Sequence, residues 1–369
     1  MHVAIIGAGV LGASAAWHAA RAGARVTVID ARKQGRATAA GAGIVCPWVS
    51  GLEDDDFYHL YVAGGEYYPE LSAALAAEGE TGLGYRRSGA MLVADARSEL
   101  AALEAFARRR RTAHPPMGEV SRLPPQQARA LFPPLDPALG AVHISGGARV
   151  DGRRLAASLL RAAGRHGARI MQAEAHPWLG SGRARGVRVG EERIEADRVI
   201  VTTGAWASRV PVRPQRGQIM HLEVAGAATE TWPVILPPGD HYIVPFDAGR
   251  VVIGATREAD AGFDCRVTAA GQAEVLFEAL RIAPGLGDAT VLETRVGFRP
   301  VLGRPALGWM PEVGDLAIGN GLGAAGLTIG PLAGRLLADL VLDRSPELDL
   351  TPFDPARVEL EEAEPVPLR

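Results

Sequence analysis

A glycine-rich turn at the start of the chain constrains the fold more than any other feature of the sequence. Gly7, Gly9 and Gly12 form a G-x-G-x-x-G pattern. They follow the apolar run Val3–Ile6. The alanine-rich segment Val10–Ala22, which begins within the motif, has helical spacing. In such a strand–turn–helix unit the first glycine permits a tight turn, the second lets a pyrophosphate approach, and the third lets helix and strand pack. The phosphates then lie at a helix N-terminus, where N–H groups and the helix dipole favour anions.

A carboxylate lies where a unit of this kind binds a ribose. Arg25–Ile29 has the composition of a second strand, and Asp30 and Ala31 follow at its end. An acidic side chain at this position accepts hydrogen bonds from ribose hydroxyls and disfavours a 2′-phosphate, which argues against NADP. The sequence therefore predicts a dinucleotide site between Gly7 and Asp30, without deciding between FAD and NAD.

The segment 35–44, with the sequence GRATAAGAGI, favours FAD. Its side chains are mostly small, and Thr38 supplies a hydroxyl. A segment so free of bulk is suited to lie along an extended dinucleotide and under a flat ring. A flexible surface loop is the alternative interpretation.

A second glycine-rich motif precedes the last predicted helix, which runs from about Thr328 to Leu342. Residues 319–328 have the sequence GNGLGAAGLT, and an NAD-binding fold needs no second helix start of this kind. Aimed at the pyrimidine edge of a flavin, it would stabilise the negative charge that develops there on reduction. An ordinary helix entry is the alternative.

The remaining segments predict two interleaved domains. Several short strands separated by Pro and Gly occupy Gln218–Ile253, a pattern typical of an antiparallel sheet. A β-meander is predicted over residues 183–203, and further helices over 66–77, 98–111, 124–131, 152–167 and 268–280. We predict an α/β fold in which a Rossmann-type FAD-binding domain (residues 1–84, 146–216 and 296–369) is interleaved with an α+β substrate domain built on an antiparallel sheet (residues 85–145 and 217–295).

Composition excludes several classes of function. The 369 residues carry a formal net charge of −3, so the chain has no overall field for nucleic acid. The nine histidines and two cysteines show no metal-ligand spacing, so we predict no metal. We found no stretch of about 20 apolar residues that predicts a membrane span. We expect a soluble, cytoplasmic enzyme and leave a homo-oligomer open.

Taken together, the motifs resemble the D-amino-acid oxidase (DAO) family of FAD-dependent oxidoreductases, which includes glycine oxidase, D-amino-acid dehydrogenase and sarcosine oxidase. The similarity runs nearly end to end. Besides the opening unit it covers residues 37–44, 85–89 (YRRSG), 199–206 (VIVTTGAW), 214–218 (PQRGQ), 242–245 (YIVP), 253–263, 296–300 (VGFRP) and 321–331.

The resemblance implies non-covalent FAD and a carboxylate-bearing amine as substrate. Arg299 matches the family arginine that binds the substrate carboxylate, and Tyr242 matches the tyrosine that orients it; Arg295 and Arg304 are the competing arginines. A contact of Asp240 with the substrate amine is a weaker expectation. The residues expected to bind FAD are Gly7, Gly9, Val10, Leu11, Gly12, Asp30, Ala31, Ala37, Thr38, Ala42, Gly43, Ile44, Gly204, Trp206, Leu322, Gly323, Ala324, Ala325, Gly326, Leu327 and Thr328.

The expected reaction is hydride transfer from the α-carbon of an amino acid or secondary amine to flavin N5, which gives an imine. The electrons then pass to O₂ or to a carrier. Leu322 and Ala324 replace polar residues of many relatives, so we expect a roomier pocket for a larger or less polar amine. No cysteine lies near the last motif, hence the expectation of non-covalent FAD.

Three other functions remain open at this point. They are a flavin-dependent tRNA-modifying enzyme, a flavin subunit of a multisubunit dehydrogenase, and an NAD-dependent dehydrogenase. The basic run Arg108–Arg111 is interpreted as a solvated helix end, with contact to nucleic acid or phospholipid as the alternative.

Overall fold

The computed structural model describes residues 1–357 of the chain. In chain order, the strands are β1 (His2–Ile6), β2 (Arg25–Asp30), β3 (Ile44–Val45), β4 (Ala90–Ala94), β5 (Val120–Leu123), β6 (Gly140–Ile144), β7 (Ala148–Arg149), β8 (Arg169–Gln172), β9 (His176–Gly180), β10 (Arg183–Val189), β11 (Glu192–Glu195), β12 (Arg198–Val201), β13 (Arg213–Glu223), β14 (Val234–Leu236), β15 (Tyr242–Pro245), β16 (Arg250–Gly254), β17 (Thr290–Trp309) and β18 (Leu316–Leu322). The helices are α1 (Val10–Arg21), α2 (Ala37–Ala40), α3 (Asp55–Glu66), α4 (Tyr68–Ala77), α5 (Arg97–Ala113), α6 (Pro125–Leu131), α7 (Gly152–Arg165), α8 (Ala269–Ile282) and α9 (Gly326–Val341).

Most strands belong to one sheet that is parallel at one end and mainly antiparallel at the other. The order across the thirteen strands is β5-β6-β4-β14-β15-β16-β13-β17-β18-β12-β1-β2-β8. The neighbours from β18 to β8 are parallel. The pairs β18–β17, β17–β13, β13–β16, β16–β15 and β15–β14 are antiparallel. The predicted α/β class, with a nucleotide-binding parallel part and an antiparallel part, is confirmed.

The two longest strands, β13 and β17, join the two parts. They pair with each other along the whole length of β13 and cross the boundaries predicted at 216/217 and 295/296. The division into an FAD-binding and a substrate domain at the stated residues remains a prediction, and residues 358–369 of its last segment lie outside the described chain. Of the predicted meander, β10 and β11 form a small sheet with β9, whereas β12 leaves it to pair with β1.

A close helix pair, α1 and α9, brings the two ends of the chain together. A Cβ atom at Gly330 would lie 2.6 Å from Val10 Cγ1, and one at Gly334 would lie 2.5 Å from the carbonyl oxygen of Leu11. Only glycine permits helix backbones to approach so closely. The segment Gly323–Val341 is long and apolar enough to span a membrane by length and composition, but 67% of it is buried inside the protein, as expected of a core helix.

The proline inside α9 is tolerated because its neighbours supply the missing hydrogen bonds. Pro331 has no N–H to donate to the carbonyl of Leu327, and the buried Tyr68 hydroxyl donates to that carbonyl instead. The Ser14 hydroxyl of α1 donates to the carbonyl of Pro331 at 2.6 Å. These bonds fix the start of α9 against α1 and α4.

Several helices begin at residues whose side chains accept from the first turn. Asp54 accepts from Phe57 N at 3.0 Å, Asp151 from Arg153 N at 3.1 Å, and Thr268 from Gly271 N at 3.1 Å. Such a cap stabilises a helix by about 1 kcal/mol. α1 begins after Gly9, which has no side chain for this purpose.

The helix predictions hold best where the apolar spacing is regular. α5, α6, α7 and α8 are observed within two residues of the predicted bounds. The predicted helix over 66–77 corresponds to α4, which starts two residues later at Tyr68 and ends at Ala77 as predicted. The sequence reading missed α3 altogether.

Candidate active site

The first glycine motif forms the turn between β1 and α1, and each glycine is required for a different reason. Gly7 has φ +104°, and a Cβ there would lie 2.4 Å from the carbonyl oxygen of Thr202. A Cβ at Gly12 would lie 2.1 Å from the carbonyl oxygen of Gly7, so this glycine permits the helix to pack against the turn. A Cβ at Gly9 would meet only Thr38 Oγ1, at 3.3 Å, and would point into a cavity.

Asp30 ends β2 beside this turn. Its Oδ2 accepts from Ala8 N at 3.3 Å and lies 3.4 Å from Arg36 Nη1, and its Oδ1 accepts from Arg32 N at 2.7 Å. Asp30 and Ala31 both line the cavity. The carboxylate is therefore held in place next to the first turn of α1, as a ribose-binding residue must be.

The small-residue segment follows and covers the same cavity. Thr38, on the short helix α2, accepts from Val10 N at 3.0 Å through Oγ1 and thereby ties this segment to the start of α1. Gly43 has φ +86°, and a Cβ there would lie 1.8 Å from the carbonyl oxygen of Val150. Ala37, Thr38, Ala42, Gly43 and Ile44 all line the cavity.

The C-terminal motif reaches the cavity from the opposite end of the chain. β18 ends at Leu322, a 3₁₀ turn covers Gly323–Ala325, and α9 begins at Gly326 without a side-chain cap. Leu322, Gly323, Ala324, Gly326 and Leu327 line the cavity. The backbone N–H groups at the start of α9 therefore lie beside the cavity, where they can stabilise a negative charge that develops there.

Three residues expected to bind the cofactor do not line the cavity. Gly12 is buried beneath the turn, and Ala325 is buried at the start of α9. Thr328 donates through Oγ1 to the carbonyl of Ile44 at 3.0 Å and thus joins the C-terminal motif to the small-residue segment. These residues support the two motifs from behind, while direct contact of each with FAD remains untested.

An aromatic cluster forms another wall of the cavity. Gly204 and Trp206, which follow β12, both line it. The Trp206 ring stacks on Phe263 with centroids 5.4 Å apart, and both rings meet Phe298 edge-on. Asn320 Nδ2 donates to the carbonyl of Gly204 at 3.1 Å and holds this turn against β18.

One cavity of about 640 Å³ joins all these elements, a size that suits a large ligand. At one end lie the start of α1 and Asp30, and at the other lie Arg299 and Tyr242. A helix start whose N-cap residue Gly9 has no side chain, a ribose carboxylate and a second helix start further along fit FAD in an extended conformation.

Arg299 and Tyr242 form a paired polar group at the far end. Arg299 Nη1 donates to the carbonyl of Thr256 at 3.1 Å and to Gln215 Oε1 at 3.3 Å, and the guanidinium also bonds the Tyr242 hydroxyl. Burial raises the pKa of Tyr242, against the opposing effect of the nearby guanidinium groups, so its hydroxyl stays protonated at neutral pH. Burial lowers the pKa of Arg299, yet an arginine remains charged at neutral pH.

The backbone opposite these side chains is glycine because there is no room for more. A Cβ at Gly217 would lie 2.7 Å from both Nη atoms of Arg299. A Cβ at Gly254 would lie 3.2 Å from the Tyr242 hydroxyl oxygen. The pairing of β13 with β17 and of β15 with β16 thus determines where both polar groups lie.

The two competing arginines point elsewhere. Arg295 pairs with Glu293 at 2.5 Å, and Arg304 pairs with Asp54 at 2.6 Å. Neither lines the cavity. Within residues 1–357, Arg299 is the candidate that faces the cavity beside Tyr242.

Sequence reasoning missed a second arginine at this end. Arg257 lines the cavity, and its Nε lies 2.9 Å from Asp240 Oδ2. Arg257 adds a positive charge to this end of the cavity. The expectation of a pocket for a less polar amine rested on Leu322 and Ala324 alone and did not include this charge. The polarity absent from the C-terminal motif is supplied by the segment after β16, and no local pattern in the sequence indicates this position.

Two arginines of the basic run 108–111 have structural partners. Arg108 pairs with Glu104 at 2.8 Å, and Arg110 lies over the Tyr58 ring at 4.0 Å, so this basic run serves helix packing and local pairing. No cluster of three or more potential metal ligands occurs among residues 1–357.

A helix start that suits a pyrophosphate, joined through one cavity to the buried pair of Arg299 and Tyr242, fits a flavin-dependent oxidoreductase. The chain belongs to the DAO family of FAD-dependent oxidoreductases, because the model of that family matches residues 2–340.

Similar proteins cover nearly the whole chain. An uncharacterized oxidoreductase of Bacillus subtilis, YurR, is 48% identical over 363 residues, which cover 95% of this chain and 98% of that protein. Glycine oxidase of Pseudomonas aeruginosa is 32% identical and covers 96% of this chain and 98% of its own length. The crystal structure of iminodiacetate oxidase (IdaA) from Chelativorans sp. BNC1 superposes with a TM-score of 0.93 at 51% identity, covering 96% of this chain and 98% of that one.

The chain is therefore an FAD-dependent oxidoreductase that oxidises the C–N bond of an amino acid or amine. This assignment replaces the alternative of an NAD-dependent dehydrogenase and confirms the predicted cofactor class.

Proposed function

We propose that this enzyme is an oxidase of small secondary amino acids, with iminodiacetate as the expected substrate. Iminodiacetate oxidase, at 51% identity and a TM-score of 0.93, supports this substrate class. The observation that carries the proposal is the pair of Arg299 and Tyr242 at the far end of the cofactor cavity.

Arg299 and Tyr242 bind and orient the carboxylate next to the carbon that is oxidised. The planar guanidinium forms a charge-assisted pair with this carboxylate, and the Tyr242 hydroxyl donates to it because burial keeps that hydroxyl protonated. Bonds from Arg299 to Thr256 and Gln215 fix the guanidinium before substrate arrives, which lowers the cost of ordering it.

When bound, FAD supplies the acceptor for a hydride from the α-carbon. The substrate nitrogen loses its proton as the C=N bond forms, and water then cleaves the imine. Iminodiacetate would yield glycine and glyoxylate. O₂ takes up the two electrons and becomes hydrogen peroxide, as the names of the related glycine and iminodiacetate oxidases suggest. A cytoplasmic location remains part of the proposal, and cell fractionation tests it.

The test is an anaerobic reduction experiment on the FAD-loaded protein. Iminodiacetate should bleach the flavin absorbance, and readmitted O₂ should restore it with formation of hydrogen peroxide. Arg299→Met should weaken reduction by about 10- to 150-fold, since a charge-assisted pair contributes about 1.5–3 kcal/mol. The exposed Arg281→Gln on α8, which removes a pair with Glu278, is the charge-matched control.

Unchanged reduction kinetics in Arg299→Met would reject the carboxylate role. Bleaching without reoxidation by O₂ would reject the oxidase and favour a dehydrogenase that uses a carrier.

A further inference from the structure

We propose that Arg257 binds a second carboxylate of the substrate and thereby makes this site selective for dicarboxylic secondary amino acids. The inference rests on the proposed function, because it places the first carboxylate on Arg299.

The two guanidinium groups are held next to each other by the backbone. Arg299 Nη1 donates at 3.1 Å to the carbonyl of Thr256, which immediately precedes Arg257. Both arginines line the same cavity, and the charge of Arg257 contributes to lowering the pKa of Arg299. Two like charges in one partly buried site repel each other unless anions lie between or beside them.

Strand-like pairing directs Arg257 toward the cavity. Arg216 N donates to the carbonyl of Glu258 and Glu258 N to that of Arg216, both at 3.0 Å, so this segment runs antiparallel to β13. The side chains on either side of Arg257 point away from the cavity. Thr256 Oγ1 accepts from Gln218 N at 3.0 Å, and Glu258 bonds the Gln218 amide at 2.8 Å.

Side chains alternate across an extended segment, so Arg257 projects to the opposite face, where the cavity lies. Its backbone is fixed by the pairing with Arg216 and Gln218. The side chain is fixed by Asp240, whose Oδ2 lies 2.9 Å from Arg257 Nε. The Arg257 side chain is only 14% exposed, whereas the Asp240 side chain is 45% exposed. The Arg257 side chain is therefore already in position at the wall of the cavity before substrate binds.

The charges at this end match a dicarboxylic amino acid better than a monocarboxylic one. The three charged side chains grouped around Tyr242 are Arg299, Arg257 and Asp240, which together carry a net charge of about +1. A zwitterion such as glycine or N-methylglycine carries no net charge. Iminodiacetate with a protonated amine carries a net charge of about −1, which complements the site.

Two substrates that differ only in the second carboxylate test this inference. Anaerobic reduction and steady-state turnover are measured with iminodiacetate and with N-methylglycine, on the FAD-loaded wild type, Arg257→Gln, Arg257→Lys and the control Arg281→Gln. We expect the wild type to favour iminodiacetate, and Arg257→Gln to lower kcat/KM for iminodiacetate by about 10- to 150-fold, mainly through KM.

The kcat/KM for N-methylglycine should change by less than about 3-fold in the same variant, because this substrate has no second carboxylate to bind Arg257. Arg257→Lys should recover part of the preference, since it keeps the charge but loses the planar fork. An equal loss with both substrates would indicate a structural role and overturn the inference, as would a wild type without preference for iminodiacetate. If neither substrate reduces the flavin, the proposed function fails together with it.

Discussion

The substitution Gly9→Ala separates cofactor binding from folding more cleanly than any other change in the chain. Gly9 has φ −64° and ψ 178°, a conformation open to alanine, and its Cβ would meet only Thr38 Oγ1 at 3.3 Å. The folded protein without FAD should therefore accommodate the methyl group after a shift of a few tenths of an ångström at the Thr38 hydroxyl. That group points into the cavity at the start of α1, where the pyrophosphate must approach the helix N–H groups.

Displacing the pyrophosphate from this position costs at least one charge-assisted hydrogen bond, about 1.5–3 kcal/mol. The Kd for FAD should rise by about 10- to 150-fold. The assay is titration of FAD into the protein stripped of flavin, followed by the change in flavin fluorescence. Thermal unfolding of the stripped protein should remain close to wild type.

Two other glycines serve as controls for Gly9→Ala. In Gly12→Ala the Cβ would lie 2.1 Å from the carbonyl oxygen of Gly7, so this variant should lower the Tm of the stripped protein by overpacking. Gly82 has open space around it, so Gly82→Ala should change neither property. If Gly9→Ala binds FAD with the wild-type Kd, the pyrophosphate does not lie at the start of α1.

The remaining predictions concern stability and thiol chemistry. Hydrogen bonds from Arg161 and its neighbours lower the pKa of Glu80 to about 2, so Glu80→Gln should cost on the order of 2 kcal/mol at pH 7. That difference should shrink as the pH falls from about 4.5 toward 2, where Glu80 is protonated in both states; urea unfolding at pH 7 and pH 3 measures it. In α7, Gly164 has open space at its Cβ position, and Gly164→Ala should stabilise the protein by about 0.5–1 kcal/mol in the same experiment. Burial raises the pKa of Cys46 to about 12, so a thiol reagent should modify the more exposed Cys265 first and Cys46 only on unfolding; simultaneous labelling would contradict this. Neither cysteine lines the cavity, so acid precipitation should release the flavin into the supernatant, and flavin retained in the pellet would contradict non-covalent binding.

The cofactor site was predictable because its requirements are local. A positive φ at Gly7 and close approach at Gly12 leave their mark as glycines at fixed spacing after a strand. The C-terminal motif was predictable for the same reason, whereas the packing of Ala325 and Thr328 behind the cavity wall was not. Local backbone chemistry indicates a helix start but not which of its side chains face inward.

The substrate end was only partly predictable because it depends on long-range strand pairing. Arg299 and Arg295 lie four residues apart on β17, and the Arg299 side chain finds its space over Gly217 of the neighbouring strand β13. Arg257 lies beyond the end of β16, where a charged residue reads as part of a surface loop. Its position follows from the pairing of its neighbours with Gln218, which no local pattern reveals.

A crystal structure of the FAD-loaded protein would show directly whether both glycine-rich helix starts bind one FAD molecule. The account predicts a pyrophosphate at the N-terminus of α1 beside Gly9, and an isoalloxazine ring between the turn at Leu322–Ala324 and the Arg299–Tyr242 pair. Flavin density outside this cavity, or a ring remote from the C-terminal glycine motif, would contradict it.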